Sequence, residues 1–353
     1  MTTGTTSSFT TTDAASKIGA RFRVAVVGIS LIAVALLVFQ SDAGITDVTK
    51  IATGYGIGVS SIVAVLIVAR FVWFRLRDRR HPNAEEQADP MVWYRAYLAQ
   101  VRWSDITIAL IGLIVTVSCF TVYKATVVGS EGYGFDGLFI AWDRALFGGN
   151  DPWVLTHAML PSAFATKVID ILYHPVFLPM IIGYTVCVTA HSKPALRYTY
   201  IIAYLVSFVF IGMISADALH SAGPIYDGVL FGDGTTFAPL IDRLAAQNGA
   251  AGPFSAVLAQ DYLLQLNERD VAGLGGGISA MPSMHIVLAF LWVFAAFHLH
   301  RILGVVVTIY ATVIWFGSVH LGWHYFVDGL VGLIMLAVIW YAAGRTFGLY
   351  GRA

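Results

Sequence analysis

The chain has 353 residues, of which 58% are hydrophobic and 12% charged, with Lys and Arg balancing Asp and Glu to a net charge of zero. An ordinary soluble domain, in which charged residues make up roughly a quarter, is excluded. So is a nucleic-acid partner, which needs a basic face.

Residues 1–20 are rich in Ser and Thr and predict a disordered tail. The apolar segment that follows lacks a small-residue cleavage site and reads as a retained membrane helix. Apolar blocks near 24–41, 53–74, 105–127, 167–190, 198–216, 282–299, 302–320 and 324–346 predict eight transmembrane helices, each about the length that spans a bilayer core. The predicted fold is therefore an all-α polytopic membrane helix bundle. The fourth block is interrupted by Pro175 and Pro179, which membrane helices tolerate where neighbours satisfy the freed backbone groups. Cys119 and Cys187 lie within apolar runs and give no disulfide framework. The linker 75–104 turns from basic to acidic and ends in Met91-Val92-Trp93-Tyr94-Arg95-Ala96-Tyr97, a pattern that predicts an interfacial helix acting as an anchor.

Basic residues orient the bundle. Lys17, Arg21 and Arg23, then Arg75, Arg77, Arg79 and Arg80, then Lys193 and Arg197, then Arg301, then Arg345 and Arg352 fall on one side if the spans alternate. By the positive-inside rule that side is cytoplasmic, with both termini there. The opposite side carries two long loops, about 128–166 and 217–281. The second reads equally as a lid that shapes a substrate site or as a partly disordered connector.

The chemistry concentrates in Met281-Pro282-Ser283-Met284-His285 and His324-Tyr325-Phe326-Val327-Asp328, which open the sixth and eighth apolar blocks on the extracytoplasmic side. Ionisable side chains in membrane segments are costly and are usually functional. His324 and Asp328 are four apart, so a helix brings them together. A carboxylate behind an imidazole fixes its tautomer and stabilises its charged form. A histidine so held can accept a phosphoryl group, with His285 placed to protonate the departing oxygen and deprotonate the acceptor. Pro282 is predicted at the first helical position of its span. Two histidines and an aspartate also form a zinc-compatible set.

The Pro-Ser-x-His and His-x-x-x-Asp elements, in this order, resemble the type 2 phosphatidic acid phosphatase (PAP2) superfamily. The strings Gly277–His285 and His324–Gly329 look closest to its inositolphosphotransferase-like branch, which includes the inositol phosphorylceramide synthases. Trp142-Asp143-Arg144, Gly149-Asn150-Asp151-Pro152-Trp153 and Ala222-Gly223-Pro224 are similar to that branch as well. The resemblance covers about 105–346, a six-helix core, and leaves 21–104 as two extra helices with a linker and 347–353 as a cytoplasmic tail. It implies His324 as nucleophile, Asp328 as its orienting partner and His285 as general acid/base. It explains their spacing without a metal and calls for no cofactor.

The expected activity is transfer of a phosphate-bearing, inositol-phosphate-like headgroup from a phospholipid donor to a lipid alcohol through a phosphohistidine. A lipid phosphate or diphosphate phosphatase, with water as acceptor, is the alternative, and a silent transporter or lipid-binding scaffold is the alternative of another class. The usual Lys/Arg first motif is not found, and Ser318 stands where superfamily phosphatases place an Arg six residues before the nucleophile. Arg144, His220, Arg243 and Arg269 are the candidate replacement cations. His320 is expected among headgroups, as are His298 and His300 at the other face. Tyr133, Trp142 and Trp153 are expected as interface aromatics. His174 is either a lining residue of the bundle or part of a helix break.

Overall fold

The computed structural model describes residues 6–41, 43–80 and 102–351. Helices α1 (Thr6–Gln40), α2 (Ile45–Arg80) and α3 (Trp103–Thr126) come first. Two short helices, α4 (Asp136–Leu146) and α5 (Pro152–Met159), follow. The fourth crossing is built from α6 (Ala163–Ile171), a π-helical turn (Leu172–Val176) and α7 (Phe177–Thr189). Helix α8 (Pro194–Val206) continues through a π-helical stretch, Ser207–Ser215. Helices α9 (Ala238–Ala251) and α10 (Ser255–Glu268) lead to α11 (Met284–Leu299), α12 (Arg301–His320) and α13 (Phe326–Phe347).

Among the described residues seven helical crossings are long and apolar enough to traverse a membrane, so the protein is a multi-pass membrane bundle. Helix α11 has 16 residues and rises about 24 Å, short of the roughly 30 Å hydrocarbon core. The irregular chain ahead of it is packed inside protein, with Ile278, Ala280 and Met281 each at most 2% exposed. Non-helical backbone at membrane depth is tolerated only under that condition.

Consecutive long helices alternate in direction. At one end Arg23 of α1 pairs with Asp105 of α3 at 2.7 Å, and the same carboxylate accepts the Tyr198 hydroxyl of α8. Phe347, the last residue of α13, meets Phe22 edge-on at 6.3 Å. At the other end Ser41 Oγ lies 2.7 Å from Thr126 Oγ1, and Ala280 N donates to Ser221 O. Both long connections, 128–166 and 217–281, sit at this second end, with His285 and His324.

Several expectations change. The stretch expected as a tail is helical from Thr6 onward, and Gly19 and Phe22 are already packed inside the protein, so α1 continues past its apolar block instead of fraying. The 217–281 segment is no disordered connector: α9 and α10 form because Leu240 and Leu244, and Ala256, bury against the bundle. Pro282 precedes the helix; Ser283 is the N-cap of α11, held extended as its N–H reaches Asp328 O. The predicted interfacial anchor at 91–97 lies outside the described residues.

Asp105 provides a stability test. It is fully buried, and Arg197, 4% exposed, depends on it at 4.0 Å. Stranding a buried charge costs about 3–5 kcal/mol, so Asp105→Ala is expected to lower the unfolding temperature in detergent strongly. Arg23 is partly exposed, and Arg23→Ala is expected to cost about 1 kcal/mol or less; equal losses would contradict the assignment.

Candidate active site

The site is assembled from loops held by buried carboxylates. Asp143 of α4 accepts the N–H groups of Phe326 and Val327 at 2.8 and 3.0 Å. These are donors of the first turn of α13, which have no partner inside the helix. Asp136 accepts from Ala222 N and Gly223 N, both at 2.9 Å, and from the Tyr325 hydroxyl at 2.8 Å. The turn around Gly223 is wedged so closely that a Cβ there would stand 2.6 Å from Trp323 O, and its φ of +98° suits glycine alone. Ser221 then bridges to the segment that carries His285 through Ala280 N and Met281 N. One turn therefore fixes 280–285 against 322–328. Burial pushes the Asp143 carboxyl up to about 7, against the pull of its two N–H bonds, and raises Asp136 as well.

His324 lies just ahead of α13, with Tyr325 as the N-cap. Its Nδ1 is 2.9 Å from Ala280 O and 3.2 Å from Asp328 Oδ2. A carbonyl can only accept, so Nδ1 carries the proton and Nε2 keeps its lone pair. The spacing of four thus predicts the right contact through a different geometry. Asp328 turns back over the helix start, and its Oδ2 also accepts from Tyr325 N at 3.0 Å. Its Oδ1 has no hydrogen-bond partner among the described residues.

His285 is the second residue of α11. Its ring centroid is 6.0 Å from that of His324, and it stacks on Tyr173 at 5.0 Å and on Phe177 at 5.5 Å. Both histidines line a cavity of about 580 Å³. His174 and Lys124 line it too, and the rest of the wall is chiefly apolar side chains of α2, α3, α7 and α8, among them Val117, Leu178 and Phe208. Among the described residues no group of three His, Cys, Asp or Glu side chains is placed to hold a metal ion.

The candidate cations are elsewhere. Arg144 is spent on a two-pronged pair with Asp151 at 2.7 and 3.1 Å, and Arg243 donates to Pro161 O. His220 bonds Asp217 O, and Arg269 caps α10 on the surface; none of the four lines the cavity. The cation that does is Lys124, at the site end of α3, which makes no hydrogen bond or ion pair among the described residues. It lines the same cavity as His285 and His324. Its backbone packs against the glycine-rich loop, where a Cβ on Gly277 would come within 2.6 Å of Lys124 C. A lone lysine inside the third apolar block was the available signal. Ser318, in place of the expected Arg, serves through its backbone, accepting from Trp323 N and His324 N.

His320 is fully buried, not among headgroups: it stacks on His157 at 3.8 Å and bonds Thr166 at 2.9 Å, in a polar knot behind the site. Burial lowers His157 to about 4, so it stays neutral there. Tyr133 reaches Ile278 O, and Trp153 packs edge-on against His157, so both belong to packing around the site; Trp142 is 44% exposed. His298 and His300 make local bonds at the other end, to Phe294 O and from Ile302 N.

A polytopic helical membrane protein with two histidines and an aspartate converging at helix mouths is thus defined. Residues 138–342 match the PAP2 superfamily, and the chain belongs to that family. Members are phosphatases or phosphotransferases. Comparison with curated proteins and with solved structures yields no match.

The raised Asp143 carboxyl gives a pH test. Its ordinary value is about 3.9, so in the folded state it holds its proton over a wider range. The stability linked to that proton is full below pH 4 and is lost as pH rises through about 7. The unfolding temperature of wild type relative to Asp143→Asn is expected to fall across that window. A pH-independent difference would refute the assignment.

Proposed function

We propose that this protein is a lipid phosphotransferase that moves a phosphate-bearing, inositol-phosphate-like headgroup between lipids through phospho-His324. The observation that carries the reading is the single cavity in which a locked histidine, a second histidine and a lysine meet walls that are otherwise apolar. A phospholipid has that same division, and the volume falls within the range of small-ligand sites, about 300–1,000 Å³.

In the first step Nε2 of His324 attacks phosphorus and the bond to the donor lipid's oxygen breaks, with His285 giving that oxygen a proton. The imidazole becomes cationic on phosphorylation, and Asp328, with one oxygen otherwise unpartnered, stabilises that charge. Lys124 balances the phosphoryl oxygens. The lipid alcohol then attacks phosphorus and the P–N bond breaks. The helix ends that bear Arg23, Arg197, Arg301 and Arg345 lie opposite the site, which by the positive-inside rule supports an extracytoplasmic site and cytoplasmic termini.

Lys124 also supports a second reading. A phosphomonoester dianion benefits from a fixed cation, and with Lys124 at hand a lipid phosphate phosphatase meets the same geometry. Acceptor dependence separates the two.

Purified protein in mixed micelles, given phosphatidylinositol or phosphatidic acid with and without a diacylglycerol or ceramide acceptor, is expected to yield a new phosphorylated lipid only with acceptor. His324→Gln is expected to yield none. Release of water-soluble phosphate without acceptor would establish the phosphatase instead, and product from His324→Gln would end the phosphohistidine reading. Lys124→Met should reduce kcat/KM about 10–100-fold, the worth of a hydrogen bond to a charged group, while leaving the unfolding temperature near wild type. An unchanged kcat/KM would remove Lys124 from the site.

A further inference from the structure

The fourth crossing does not run straight past the site. Between α6 and α7 the chain makes a π-helical turn, Leu172–Val176, with Pro175 inside it. Turns of this kind are frequent at functional sites, where the extra residue re-aims side chains. Here two consecutive residues are re-aimed. Tyr173 stacks on His285, and His174 lines the cavity beside Trp323, with ring centroids 5.5 Å apart.

His174 has a carboxylate behind it. Its Nδ1 is 3.4 Å from Asp170 Oδ1, one helical turn earlier. That nitrogen is buried and makes no hydrogen bond among the described residues, so its relation to Asp170 is an ion-pair approach open to tightening when the ring is protonated, and His174 also lines the cavity. Asp170 is fully buried and immobilised from a separate segment, accepting Ser255 N at 2.8 Å and Ala256 N at 2.7 Å. The cavity is therefore lined by a second histidine, besides His324, that has a buried carboxylate at ion-pair distance behind it. His285, by contrast, makes no hydrogen bond and no ion pair among the described residues.

That asymmetry matters chemically. A base that must take and keep a proton from an alcohol is helped by a carboxylate that stabilises the imidazolium, and only His174 of the two has one. We propose that His174 is a further catalytic residue, the base that deprotonates the acceptor, with Asp170 as its positioning residue; this rests on the transfer reading above. His285 then serves the first half-reaction only. In the second, the acceptor oxygen bonds to phosphorus, the P–N electron pair returns to His324 Nε2, and the acceptor proton passes to the cavity-facing nitrogen of His174. Transfer of that proton back to His285 through cavity water resets the site.

The test separates the half-reactions in the full-length protein. With phosphatidylinositol radiolabelled at phosphorus and no acceptor, His174→Gln is expected to form the labelled His324 adduct at the wild-type rate. On addition of diacylglycerol or ceramide, discharge is expected to be about 10²–10⁴-fold slower, the usual worth of general base catalysis. Added imidazole should restore part of it, and Asp170→Asn should fall between wild type and His174→Gln. Adduct formation also reports that each variant is folded. Discharge at the wild-type rate would overturn the proposal while leaving the phosphohistidine reading intact. Loss of adduct formation in both variants would overturn it as well, by placing the pair in the first step. Turnover by wild type without any adduct would remove the phosphohistidine reading, and the division of labour with it.

Discussion

The end of the bundle that carries the site depends on buried carboxylates that accept backbone N–H groups. Asp136, Asp143 and Asp170 each take two such donors from a segment distant in sequence, and Asp227 takes two from its own loop. Non-helical chain near membrane depth leaves amides that neither water nor a helix satisfies. A carboxylate answers two of them at once with charge-assisted bonds, at the cost of its own desolvation, visible in the upward shift of Asp143. Because Asp136, Asp143 and Asp170 sit on helices, the loops they hold inherit the rigidity of the bundle. Reacting groups placed on such loops can be held to the small tolerances that a displacement at phosphorus requires.

The helices ahead of the family match, which begins at residue 138, are wired into the same end. Tyr55 of α2 bonds Thr121 Oγ1 at 2.8 Å and receives Gly275 N at 3.4 Å. A Cβ on Gly54 would stand 2.8 Å from Leu274, so α2 presses directly on the glycine-rich loop. That loop in turn rests on Lys124. Helix α2 thus forms both a wall of the cavity, through Tyr55 and Val59, and a support for its roof.

Much of this was legible in the chain. Apolar block length located the crossings, because bilayer thickness leaves few alternatives, and the spacing of His324 and Asp328 identified a real contact. What escaped reading did so for definite reasons. Helices α9 and α10 were hidden because their polar composition looks like linker, and only packing under Leu240 and Leu244 orders them. Asp143 sat in a recognised string, yet its role depends on meeting the start of α13, 183 residues away. Lys124 was passed over among long-range candidates such as Arg144, whose charge is consumed locally by Asp151. His320 looked interfacial because sequence places it at a helix end, whereas α5 and α9 cover that end.

Transfer and hydrolysis differ only in what reaches phosphorus after the first displacement. Under the proposed phosphohistidine route, a phosphoryl group on His324 would be open to an alcohol and to water alike, so selectivity would lie in which of them the cavity admits. Its walls are apolar toward α2, α3 and α7, and the roof is a glycine-rich loop with little side-chain bulk. The roof's fit over Lys124 depends on Gly277, whose φ of +85° and close approach leave room for no side chain. Water exclusion is then a property of how tightly α2 and α3 hold that loop, not of the histidines. On this reading the reaction chemistry resides mainly in the residues shared with the family, and the choice of acceptor resides largely in helices outside the match.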